Sequence, residues 1–68
     1  MAVKNRLKEI LTERGIKQSW LVDHLNLTKG TVSNIINNKY PTSLDIAFKI
    51  AKLLNMQLID IFYEDLED

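Results

Sequence analysis

Gly30, Ser33, Asn34 and Asn37 fall on one side of a short periodic stretch. A turn of about 100° per residue carries Thr31, Val32 and Ile35 to the other side. Small and polar residues near a helix N-terminus let the backbone approach an array of hydrogen-bonding groups that bulky apolar side chains would hold off. The chemistry open to this face is hydrogen bonding, not bond making. The Asn34 amide can pair in bidentate fashion with adenine, Lys29 can donate to guanine O6 and N7, and Ser33 can serve a base or a phosphate oxygen. A solvated helix surface would have the same composition, so the face alone leaves both readings open. Two local preferences are broken on it, however. Lys29 places a positive charge at the positive end of the helix dipole, and Gly30 costs up to about 1 kcal/mol against alanine, less in a first turn. Breaches of this kind tend to mark functional positions.

Other chemistries find few groups to carry them. With no cysteine and one histidine, the chain lacks the ligands for a zinc site and the partners for a His-activated nucleophile, so the expectation is no metal and no cofactor. His24 follows Asp23, but neighbours on a helix point about 100° apart and do not form a catalytic pair. Glu64, Asp65, Glu67 and Asp68 form a charge run near the C-terminus, where solvation is the ordinary fate. An enzyme is not expected, and no small-molecule ligand is evident.

Length and charge narrow the class further. A chain of 68 residues forms one domain, expected over 1–68, with room for a binding fold and little else. The formal net charge of zero conceals a segregation. Residues 1–40 carry seven positive against three negative side chains, a balance of +4, and residues 41–68 carry two against six, a balance of −4. A basic half suits a polyanion docking on one side, and a solvated surface with an acidic tail fits the same numbers. No apolar run approaches the ~20 residues that span a bilayer, and the first residues lack the apolar core of a signal peptide. The expectation is therefore a soluble intracellular protein without a membrane partner.

The elements that must position the polar face follow from periodicity and punctuation. Val3, Leu7, Ile10, Leu11 and Arg14 recur at helical spacing before Gly15, which suits a left-handed C-cap. Leu21, Val22 and Leu25 make a second stripe of about eight residues ended by Asn26, which tolerates a positive φ. Thr28 reads as the N-cap of the third helix. Asn37 to Pro41 is a turn cluster with the one proline. Thr42 or Ser43 caps a fourth helix whose Leu44, Ala47, Ile50, Ala51 and Leu54 face inward, while Asp45, Lys49 and Lys52 face water. A last short helix after Asn55 carries Leu58, Ile61 and Phe62. No stretch alternates with period two, so the expected fold is all-α.

Gln18, Leu21, Val22 and Leu25, the tight turn at Asn26-Leu27, Thr28, Thr31-Val32-Ser33, Ile35 and Asn37-Lys39-Tyr40 together resemble the helix-turn-helix of phage Cro and repressor proteins, the XRE family. Gly15-Ile16, Ser43-Leu44, Lys49-Ile50-Ala51, Leu54 and Ile61-Phe62 extend the likeness over nearly the whole chain. The resemblance implies a compact five-helix, lambda repressor-like DNA-binding domain with its helix-turn-helix at about 17–37. It also implies Lys29, Gly30, Ser33 and Asn34 as base-reading positions, and Lys17, Gln18, Thr28, Thr31, Asn37, Lys39 and Tyr40 as phosphate-contacting ones, which fix register without reading sequence.

This chain departs from the family pattern at several places. Asn26 replaces the usual turn glycine and Val22 the usual alanine. Lys17 stands where a capping Thr or Ser is common, Gly30 where a long polar side chain often reads a base, and Ile36 where Glu is frequent. The proline comes one residue early. The fold carries over; the target sequence does not.

The resulting expectation is a sequence-specific transcriptional regulator of bacterial or phage type. Family prevalence makes it a repressor, reading the major groove of a two-fold operator in double-stranded DNA with helix three. It would be cytoplasmic and nucleoid-associated. An antitoxin-like or adaptor protein, working through protein contacts, is the alternative. Helix five and its flanks offer more apolar surface than one face of a short helix can bury. The surplus predicts a homodimer with Ile59, Phe62 and Leu66 at its interface and recognition helices about 34 Å apart. Trp20 can cover the core edge or touch a partner or the DNA backbone, Tyr40 can clamp a phosphate or pack on the core, and Met56 fills a helix junction.

Overall fold

The computed structural model describes residues 2–65 and, among these, is mostly helical. The order is β1 (Ala2–Asn5), α1 (Leu7–Arg14), α2 (Gln18–Leu25), α3 (Lys29–Ile36), α4 (Leu44–Leu54), α5 (Leu58–Ile61) and β2 (Phe62–Asp65). Helices α1, α2 and α4 stop where the sequence offers residues that accept a left-handed backbone. Gly15, Asn26 and Asn55 have φ of 66°, 56° and 55°, and each N–H bonds back to the last turn of its helix. Thr28 and Ser43 cap α3 and α4, their hydroxyl oxygens accepting the N–H of Thr31 and Ile46. Of the two residues expected to cap α4, Ser43 is the one that does.

Apolar stripes on all five helices converge on one core. Leu7, Leu21, Val32, Ile50 and Ile61 are its fully buried centre, with Ile10, Leu11, Leu25, Ile35 and Leu54 around them. Each such side chain contributes about 1.5–3 kcal/mol on leaving water. Ile36 is buried as well, so an apolar residue at a position often filled by Glu enlarges this core. Arg14 closes the packing from outside, its Nη1 donating to the Leu54 carbonyl at 2.7 Å. That places a cation at the negative end of α4.

Three local expectations change. Val3 does not open α1: it lies in β1, opposite Glu64 in an antiparallel two-stranded ribbon that pairs Ala2 with Asp65 and Asn5 with Phe62. Its spacing from Leu7 is a helical coincidence, and Val3 is 62% exposed. Phe62 likewise leaves α5 and begins β2. Strands of four residues, half-covered without alternation, carry no period-two signal. The ribbon is small. It is tied down by Arg6 N–H donating to the Ile61 carbonyl at 2.8 Å, by Arg6 over the Tyr63 ring at 4.7 Å, and by a Lys4–Asp65 ion pair at 2.8 Å. Leu44, finally, is 64% exposed rather than inward, because it sits in the first turn of α4 beyond the reach of the core.

Candidate nucleic-acid interface

The two-helix unit is built around the Asn26 turn. Because Asn26 adopts φ 56°, ψ 41°, the chain reverses in the three residues between Leu25 and Lys29. Leu21 and Leu25 of α2 then meet Val32 and Ile35 of α3 in the core, which fixes the angle at which α3 is presented. The side of α3 away from these contacts is open. Lys29 and Gly30 are exposed, Ser33 and Asn34 are half-buried, and Asn37 at the C-cap is exposed.

Gly30 is the informative residue on that face. It does not adopt a positive φ, and a Cβ built on it meets nothing within 4 Å. Neither backbone conformation nor packing within the chain calls for glycine there. What a side chain would obstruct is the space outside the helix.

The hydrogen bonds around α3 prepare its polar groups. The Thr28 hydroxyl donates to Thr31 Oγ1 at 2.8 Å while its oxygen accepts the Thr31 N–H at 3.2 Å. Thr31 Oγ1 is thus occupied as an acceptor and retains its own hydrogen as a donor for an oxygen outside the chain. At the other end, Asn37 folds back, its Nδ2 donating to the Ser33 carbonyl at 2.9 Å and approaching Ser33 Oγ at 3.4 Å. Asn37 and Ser33 therefore act together. The Asn34 side chain has no hydrogen-bond partner among the described residues, which leaves both halves of its amide for an external group.

Gln18, at the start of α2, and Lys29, at the start of α3, come together although eleven positions separate them. With Ser19 and Val22 they line a hollow of about 300 Å³ between the two helix N-termini. Ser19 is exposed there and was not singled out by sequence, where its place beside Gln18 carried no periodic signal. Lys17 holds the N-cap position of α2 in extended conformation and supplies no side-chain cap. First-turn N–H groups without such a cap suit an anionic oxygen.

Lys39 and Tyr40 lie beyond α3 on the loop to α4, both exposed. The Lys39 N–H donates to the Asn34 carbonyl at 2.9 Å, which holds the loop against the end of α3. Tyr40 does not pack into the core. It borders an apolar groove of about 760 Å³ with Val3, Leu44, Leu58 and Phe62. Trp20 is half-buried against the core edge, and its ring meets His24 at 4.1 Å between centroids, so both residues serve the outer surface of α2. Ile59 is 75% exposed, Phe62 is half-buried against the core, and Leu66 lies outside the described residues. No helix among the described residues is long and apolar enough to cross a membrane.

A compact set of five helices, with a short helix held by its partner so that a small, polar face points outward, defines a helix-turn-helix domain. The chain belongs to the Cro/C1-type HTH DNA-binding domain family, whose model matches residues 6–64. Its relatives carry regulator names. It is 39% identical over 64 residues to an uncharacterized HTH-type transcriptional regulator of Methanocaldococcus jannaschii, with 93% of this chain and 97% of that protein covered. It is 33% identical over 66 residues to the uncharacterized HTH-type transcriptional regulator YgzD of Bacillus subtilis, covering 97% of this chain and all of that one (100%). Among solved structures, a Bacteroides fragilis protein provisionally described as DNA-binding matches with a TM-score of 0.82 at 31% identity, over 90% of this chain and 98% of the other.

Proposed function

We propose that this protein is a sequence-specific transcriptional regulator that lays α3 in the major groove, as a single domain whose helix-turn-helix spans about 17–37. The observation that carries the reading is the open face of Gly30, Ser33 and Asn34, with a glycine the fold does not require where close approach to base edges would require one. Lys29, Gly30, Ser33 and Asn34 read bases. Lys17, Gln18, Thr28, Thr31, Asn37, Lys39 and Tyr40 meet the phosphates on either side. Repression is the proposed sign of regulation, since occupancy of an operator is enough for it. The protein acts in the cytoplasm, on the nucleoid.

The operator is two-fold and the protein a homodimer. The exposed side chain of Ile59 and the half-covered Phe62 leave apolar surface that a second copy would take from water. Binding to fragments of the protein's own upstream region, measured as salt is varied, tests the reading. One fragment should be preferred over random DNA at about 150 mM salt, with log affinity falling linearly with log salt. Equal affinity for every fragment would replace it with an antitoxin-like or adaptor role.

A further inference from the structure

Asn5 is the one buried polar residue among those described, at 5% exposure, and neither base reading nor phosphate contact employs it. All four of its polar groups are committed. Its backbone N–H donates to Asn38 Oδ1 at 2.9 Å, and its carbonyl accepts from Asn38 Nδ2 at 3.3 Å. Its own Nδ2 donates to the Ile35 carbonyl at 2.8 Å, and its Oδ1 accepts the Leu7 N–H at 3.0 Å, so it also serves the start of α1. Three of the four bonds end on residues 35–38, the last turn of the recognition helix and the first of the loop beyond it. Asn38 holds φ 59°, a conformation few residues other than glycine adopt readily. It is immediately followed by Lys39 and Tyr40.

We propose that Asn5 is a positioning residue for DNA: acting through Asn38, it fixes the Asn37–Tyr40 loop where Lys39 meets the phosphate backbone while α3 lies in the groove. The inference rests on the DNA reading above and adds to it that the terminal ribbon, remote in sequence, sets the loop. An unclamped loop must be ordered at the moment of binding, and each residue ordered then weakens affinity by about tenfold. The clamp moves that ordering into folding. It also gives a use to a buried asparagine, which needs every partner it has, at the end of a four-residue strand.

The test uses the full chain on a random-sequence duplex between about 50 and 200 mM salt, comparing Asn5→Ala, Asn38→Gly, Lys39→Ala and the double variant Asn38→Gly/Lys39→Ala. Asn38→Gly is the decisive substitution, because glycine accepts the backbone conformation while both side-chain bonds are lost. Far-UV and near-UV circular dichroism confirm that each variant is folded at the assay temperature, and Asn38→Gly decides alone should Asn5→Ala fail that check. The expected result is an affinity about tenfold weaker for Asn38→Gly, a salt plot flattened toward that of Lys39→Ala, and a double variant little worse than Lys39→Ala alone. A purely structural role would lower the melting temperature, leave the salt slope of the folded variant unchanged and add fully to Lys39→Ala; that result overturns the proposal. Should Lys39→Ala itself leave the slope unaltered, phosphate contact by the loop fails and the positioning role falls with it. A flattened slope in Lys39→Ala beside a wild-type slope in Asn38→Gly refutes the positioning role alone.

Discussion

Replacing Gly30 by leucine separates folding from DNA reading, because the two respond in opposite directions. Gly30 is the second residue of α3, and a Cβ placed there meets no packed neighbour within 4 Å. Leucine is favoured over glycine in a helix interior by about 0.8 kcal/mol, and about half of that applies in a first turn. A gain of about 0.4 kcal/mol in a domain of this size raises the melting temperature by about 2–3 °C. With α3 in the groove as proposed, the same side chain should stand between the helix backbone and the base edges and lift Asn34, one turn further on, out of bidentate range. Losing that pair costs about 1–3 kcal/mol, or roughly 5- to 150-fold, on the preferred duplex. Random DNA, held by phosphates, should respond much less. Thermal melting by circular dichroism and fluorescence anisotropy on the two duplexes read both effects. A Gly30→Leu variant that melts higher yet keeps the wild-type preference would show that α3 does not lie in the groove by this face. A fall in melting temperature would refute the stability reasoning.

Two further substitutions probe parts of the molecule away from that face. Arg14→Met keeps the aliphatic stem but removes the bond to the Leu54 carbonyl at the end of α4, and should cost about 1 kcal/mol, seen as a melting temperature about 4–8 °C lower with the DNA salt slope unchanged. Ile59→Glu should leave monomer stability within about 0.5 kcal/mol, since the side chain is exposed, but shift sedimentation from dimer to monomer and weaken operator binding by at least about tenfold. A wild-type protein that sediments as a monomer at about 100-fold the DNA-binding concentration, together with unaltered affinity in the variant, would remove the homodimer.

Much of the fold was legible because its punctuation is carried by single residues with restricted chemistry. Gly15 and Asn26 announce left-handed caps and Thr28 an N-cap, and all three act as such. The apolar spacing of α2, α3 and the body of α4 likewise needs only the helical period. The ribbon was not legible, since Val3 matches the helical stripe of Leu7 and Ile10 and its four-residue partner shows no alternation of burial. Leu44 misled for a related reason: periodicity assigns a face, and only tertiary packing decides how far along a helix that face is covered. At the site, Gly30, Ser33 and Asn34 share a face as their spacing requires. The pairing of Gln18 with Lys29 in one hollow, the Asn37–Ser33 bond and the Asn5–Asn38 clamp depend on how helices and loop cross, which no local pattern encodes.

The claim that α3 reads bases while the following loop grips phosphates is tested most directly by comparing Asn34→Ala with Lys39→Ala on a preferred and a random duplex over a salt series. The Asn34 amide, without a partner among the described residues, should satisfy N6 and N7 of one adenine. Its loss should cost about 1–3 kcal/mol on the preferred duplex and little on random DNA. Lys39→Ala should weaken both duplexes by similar factors and flatten the plot of log affinity against log salt by about 1 per subunit. The opposite pattern, with Lys39→Ala abolishing base preference and Asn34→Ala lowering every affinity evenly, would contradict the placement of α3 in the groove.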